Sequence, residues 1–166
     1  MMGNPISKIQ NPKPGKAKPD GIRWTFSVPS NRERIHKVLE ATDAWLRSQH
    51  FREQEVHDVT LAVVEAANNA ILHGNHDDPR KKVSLTFALS PRELVVTVAD
   101  QGKGFDPHKL PVRFPAHPSR APRGRGILLM RSLVDKVDFE QRRKGCCVRL
   151  VKHRGPEGTL KSRGRS

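Results

Sequence analysis

The chain has 166 residues, 35% hydrophobic and 5% aromatic, and carries 31 Lys and Arg against 17 Asp and Glu, a formal charge of +14. That length and apolar content fit one domain with a real core. The charge suits a polyanionic partner: nucleic acid, anionic lipid, an acidic protein or a nucleotide phosphate. No apolar run approaches the roughly 20 residues of a membrane span. The first residues lack the apolar core of about 7–15 residues that marks a secretion signal, so the expected location is the cytoplasm and no membrane partner is expected. Cys146 and Cys147 are the only cysteines, which argues against a disulfide framework or a metal site built on them. Neighbours on a strand point to opposite faces, so one buried and one exposed thiol are expected.

Residues 1–20 mix four prolines with Gly, Asn and Lys and read as a disordered basic arm. Ile22–Val28 alternates apolar and polar and predicts a first strand, stopped by Pro29. Ser30-Asn31-Arg32-Glu33 has the capping-box form, with Ser30 as the expected N-cap. The helix that follows places Ile35, Val38, Leu39, Trp45 and Leu46 at helical spacing. Thr42 shares that stripe, where its hydroxyl can bond back to the helix backbone. A second helix is expected from about Glu53 to His73, with Val56, Val59, Val63, Ala66 and Ala70 buried and Gly74-Asn75 as its stop. Lys82–Leu89 and Leu94–Ala99 predict an antiparallel hairpin. The second of these strands is almost wholly apolar and is expected to be central and covered on both faces. Residues 106–123 hold five prolines without hydrophobic periodicity; a loop of that length in a compact domain is usually functional. An amphipathic helix to about Val134, a last hairpin around Lys144-Gly145, and a basic tail over 153–166 complete the chain.

Three stretches carry chemistry. Glu65, Asn69 and His73 are spaced i, i+4, i+8; each step drifts only ~40° round an α-helix, so the three share one face. Alone, that pattern is most simply a solvated face. Asp100-Gln101-Gly102-Lys103-Gly104 puts an acid at a strand end, followed by the glycines of a tight turn. Arg123-Gly124-Arg125-Gly126 runs straight into a helix, whose first N–H groups and positive dipole end suit an anion. His73 and His76 with Asp77 and Asp78 could suggest a metal site, but loop residues of this kind are usually just solvated.

The order of the three stretches resembles the N, G1 and G2 boxes of the GHKL superfamily of ATP-binding domains, over about residues 22–152. The wording "EAANNAILHGNHDDP", "VADQGKGFDP" and "GRGILLMRSLVDKVDF" is most similar to the anti-sigma-factor serine/threonine-protein kinases. The resemblance implies an α+β fold: a two-layer sandwich of the Bergerat type, a mixed, mostly antiparallel sheet with helices on one face. It implies a kinase domain over 21–152 between the arm (1–20) and the tail (153–166). It also implies ATP and Mg²⁺ as cofactors. By that resemblance Asn69 binds Mg²⁺ through its amide oxygen, and Glu65 is the base for the acceptor hydroxyl. Asp100 accepts from the adenine amino group, and Gly102 and Gly104 let the lid turn. Gly124 and Gly126 bring backbone N–H groups to the phosphates, while Lys103, Arg123 and Arg125 neighbour them. His73 either lies at the phosphate side or merely packs at the helix end. The implied partners are a STAS-domain antagonist as phosphoacceptor, a sigma factor, and a second copy in a homodimer.

Two other readings compete. One is a nucleotide-regulated module that sequesters a partner without transferring phosphate; an intact Glu65 argues mildly against it. The other is a nucleic-acid binder, suggested by the charge. It lacks the interleaved aromatics that stack on single strands, so direct nucleic-acid binding is disfavoured.

Overall fold

The computed structural model describes residues 21–103 and 125–154. Expectations for the arm, the proline-rich loop and nearly all of the tail lie outside them, as do Gly104, Arg123 and Gly124. The element order is β1 (Ile22–Pro29), α1 (Ile35–Ser48), α2 (Glu53–Asn69), a π-helical turn (Ala70–Gly74), β2 (Lys82–Leu89), β3 (Glu93–Ala99), α3 (Arg125–Leu133), β4 (Lys136–Gln141) and β5 (Cys146–His153).

The strands form one five-stranded sheet in the order β1-β2-β3-β5-β4. Every pairing is antiparallel, so among the described residues the sheet has no parallel pair and is simpler than the mixed sheet expected. Register sorts the side chains into two faces. Trp24, Phe87, Val96, Leu150 and Val137 lie opposite one another across successive strands on the core face. One residue on, Thr25, Thr86, Thr97, Arg149 and Asp138 line the other face. All three helices cover the core face, with α2 packed between α1 and α3. β3 is central, but only Leu94, Val96 and Val98 are buried; Val95, Thr97 and Ala99 are half-buried. The expectation that both its faces are covered is therefore corrected. An antiparallel sheet can leave one face to water, and here short, mostly polar neighbours accept it.

An aromatic cluster fixes α1 on the sheet. Phe87 is fully buried, with ring centroids 5.1 Å from Trp24 and 5.0 Å from Trp45. Trp24 and Trp45 stack at 5.7 Å. The α1 stripe is narrower than expected: Val38, Thr42 and Leu46 are buried, whereas Leu39 is 47% exposed. Thr42 Oγ1 is buried and makes no hydrogen bond, so the expected bond back to the helix does not form. The capping box at Ser30 does not form either. Asn31 Oδ1 accepts from the Glu33 N–H at 2.9 Å and caps a short 3₁₀ turn, Arg32–Arg34, ahead of α1. Ser30 is fully buried, and its N–H is spent on Lys81 O at 2.9 Å.

At the start of α2 the Glu55 carboxylate, 2% exposed, accepts from the Arg52 N–H at 3.0 Å and from its guanidinium at 2.7 Å. At the end of α3 the buried Lys152 ammonium donates to Leu133 O at 3.0 Å, supplying a partner to a helix-end carbonyl. No helix among the described residues is long and apolar enough to cross a membrane.

Both cysteines are buried, at 2% each. Alternation does place them on opposite faces, but β5 is paired on both sides and Cys147 is covered between Ala99 and Glu140. Burial first, and then the nearby Asp100 and Cys147, push the Cys146 thiol up to about 11; burial also raises Cys147.

Truncating Phe87→Ala should cost about 3–5 kcal/mol, read as a shift in the urea midpoint, whereas Leu39→Ser should stay within about 0.5 kcal/mol. In the unfolded chain the Cys146 thiol ionises near its ordinary value. Native stability should therefore be intact below that value and fall as pH rises from it towards 11. Iodoacetamide at pH 8 should modify neither thiol in the native protein and both in urea; rapid native labelling would contradict the burial.

Candidate functional site

Glu65 and Asn69 stand one turn apart near the end of α2, both half-buried. Neither side chain has a hydrogen-bond partner among the described residues. Beyond Asn69 the helix widens. The Asn75 N–H reaches back five residues to Ala70 O at 2.8 Å, closing a π-turn over Ala70–Gly74. Such turns are rare and occur often at functional sites. The α-helical alignment of Glu65, Asn69 and His73 thus stops at Asn69. His73 lies in the π-turn, exposed and without a hydrogen bond among the described residues.

The π-turn delivers two residues to the end of β3. A Cβ on Gly74 would lie 2.4 Å from Asp100 Cγ and Oδ2, so only a glycine fits there. A Cβ on Gly102 would lie 1.7 Å from Gly74 O. Asn75, fully buried, accepts from the Gln101 N–H at 2.8 Å and donates to Lys82 O at 3.0 Å. Gln101 returns the link, its Oε1 accepting from the Lys82 N–H at 2.6 Å. In sequence, Asn75 reads only as part of a helix stop. Its position directly after Gly74 was the only signal of a clip joining the first box to the second.

Asp100 is 8% exposed. Its Oδ1 accepts from the Gly102 N–H at 2.9 Å and from the Cys146 N–H at 3.1 Å. Oδ2, against Gly74, has no donor among the described residues. One oxygen is thus fixed by the chain and the other is left to accept from a ligand. Burial of a carboxyl demands such donors.

The first turn of α3 meets the same wall from the other side. A Cβ on Gly126 would lie 2.7 Å from Glu65 Oε2 and 3.5 Å from Asn69 Nδ2. Arg125 and Lys103 are exposed. The structure therefore brings together Glu65, Asn69 and Gly126 at one end, and Asp100, Gly102 and Gly74 at the other. The π-turn joins the two groups.

This arrangement fits ATP: an oriented acceptor at Asp100, a glycine held close at the start of a helix, and a carboxylate and amide without partners among the described residues. Among the described residues no group of three or more His, Cys, Asp or Glu could hold a metal ion. Asp77 instead accepts from the Arg32 N–H at 2.9 Å and pairs with its guanidinium at 3.1 Å, while Asp78 pairs with Arg80 at 2.9 Å. Asn69 could still offer one amide oxygen to a hard cation that keeps most of its ligands from water and phosphate.

The family model described as the histidine kinase-like ATPase domain matches residues 28–152. The serine-protein kinase RsbW of Bacillus velezensis is 34% identical over 134 residues, 77% of this chain and 83% of that protein. The anti-sigma F factor of Geobacillus kaustophilus is 30% identical over 132 residues, 77% and 88% of the two chains. A crystal structure of the RsbU and RsbW domains of a Mycobacterium tuberculosis protein superposes with a TM-score of 0.58 at 16% identity. It shares the fold over 78% of this chain, which spans 31% of that longer one. The chain therefore belongs to the histidine kinase-like ATPase domain family, among its ATP-binding anti-sigma serine/threonine kinases.

Proposed function

We propose that the chain is a Mg-ATP-dependent kinase that phosphorylates a serine or threonine of a STAS-domain antagonist. It also holds a sigma factor inactive, acting in the cytoplasm as a homodimer. The observation that supports this reading is the closeness of Gly126 to Glu65 and Asn69: the N-terminal turn of α3 faces, across one glycine's width, a carboxylate and an amide that have no partner among the described residues. Residues 21–152 form the working unit, and the basic segments 1–20 and 153–166 flank it.

Asp100 Oδ2 accepts from the adenine amino group, and the Gly102 backbone keeps the turn beside it narrow. Asn69 offers its amide oxygen to Mg²⁺. Gly126 lets the backbone N–H groups of the α3 terminus come close to the phosphates, where an anion is favoured. Lys103 and Arg125, both exposed, are assigned to the phosphates, as are Gly104, Arg123 and Gly124, which lie outside the described residues; His73 is exposed in the π-turn. Bound Mg-ATP supplies the transferable phosphoryl group and the neutralising charge. Glu65 takes the proton of the acceptor hydroxyl, with its carboxylate held at the site by α2. Catalysis of this kind is chiefly positioning and charge stabilisation.

Purified protein, labelled ATP and a STAS-domain partner should yield a phosphoprotein. Glu65→Gln should lower that rate by about 10²- to 10⁴-fold while leaving the ATP dissociation constant within a few fold. Transfer at the wild-type rate by Glu65→Gln would remove Glu65 as the base; no phosphoprotein with the wild type would leave the partner-sequestering reading. Asp100→Asn turns an acceptor into a donor and should weaken ATP binding by about ten- to hundredfold, measured by calorimetry.

A further inference from the structure

The three boxes leave one wall of the site unassigned. The β4–β5 hairpin stands against both Asp100 and the turn after it. Asp100 and Cys146 exchange backbone and side-chain bonds: the Asp100 N–H donates to Cys146 O at 3.0 Å, and the Cys146 N–H to Asp100 Oδ1 at 3.1 Å. Gly145, at φ +95°, passes so close that a Cβ would lie 1.9 Å from Asp100 O. From the same hairpin the exposed Gln141 side chain crosses to the turn. Its amide donates to Lys103 O at 3.1 Å, and lies 3.4 Å from Arg142 O and Gly145 O. Lys103 is the last described residue before the proline-rich segment. Gln141 therefore ties the hairpin corner that orients Asp100 to the exit of the turn that carries Gly102.

We propose that the β4–β5 hairpin is a fourth wall of the nucleotide site and that Gln141 is a positioning residue for nucleotide binding. It acts through Lys103 and the corner at Gly145–Cys146, not by touching the nucleotide. This rests on the reading of the site as an ATP site. Gln141 suits the role because its side chain is exposed and forms no part of the core. Its bond to Lys103 restrains a loop and does little for the fold. With Lys103 O released, the turn gains freedom that binding must then remove, and affinity falls.

The test uses the full chain with Gln141→Ala and Gln141→Met, the second keeping length and packing but lacking the donor. ATP and GTP dissociation constants are measured by calorimetry, and the melting temperature of the ligand-free protein by calorimetric scanning. Both variants should bind ATP about five- to tenfold more weakly, the loss expected for one hydrogen bond. The ATP-to-GTP preference should narrow, and the ligand-free melting temperature should stay within about 2 °C. Wild-type affinity and selectivity in both variants would overturn the proposal. So would a loss of affinity that follows a large drop in melting temperature, since that is a folding effect. Should Gln141→Met behave as wild type and only Gln141→Ala be impaired, packing and not the bond to Lys103 would be responsible, and the proposal would fail. A wild-type protein that binds no ATP would instead overturn the reading of the site itself.

Discussion

The Asp100 carboxyl is the constraint on which this architecture turns. It is buried at the end of the central strand, and a buried carboxyl must find donors or be expelled. It finds them on two segments far apart in sequence, the Gly102 turn and the β5 strand. Each must come close, and two glycines on other segments, Gly74 and Gly145, clear the space beside the residue. The sheet order puts β5 next to β3, which makes the second donor available. The π-turn brings Gly74 in from the helix layer. Fold and site are thus one problem: the same antiparallel register that buries Phe87 and Val96 sets the rim where Asp100 sits.

Much of the fold was legible because its signals are local and periodic. The hairpin β2–β3 lies within a residue of where alternation put it, and α2 begins at Glu53 as expected. What was not legible depended on tertiary competition. Ser30 has the right spacing for a cap, yet burial and the bond of its N–H to Lys81 O take it away, and Asn31 serves instead. Leu39 lies at helical spacing but on the flank of the stripe that Val38, Thr42 and Leu46, with the partly buried Ile35 and Trp45, carry into the core. Cys147 points to the open face and is still covered.

The candidate residues were legible in a different way. Glu65, Asn69 and Gly126 meet at one end and Asp100 and Gly102 lie at the other, and each was picked out by a motif with a mechanical reason for its residue type. The π-turn was not readable, since Gly74 signals only that the helix ends and not that its last turn widens. Asn75 and Gln141 were missed for a related reason. Their work is to hydrogen-bond backbone groups of other segments, and such a partner leaves no pattern in the sequence. Electrostatics added little to the fold. The ion pairs around Arg47, Arg80 and Arg149 join exposed guanidiniums to carboxylates that are at least partly exposed, where each contributes at most about 1 kcal/mol.

Gly126 meets Glu65, Gly74 meets Asp100, and Gly102 meets Gly74. Each contact leaves no room for even one methyl group, and each joins segments that the chain separates. A larger residue at Gly74 or Gly102 cannot be absorbed where it arises, because it strikes an atom fixed by another segment, whereas one at Gly126 strikes the movable end of the Glu65 side chain. Substitution is therefore least constrained at Thr25, Thr86 and Thr97 on the open face of the sheet and most constrained at Gly74 and Gly102.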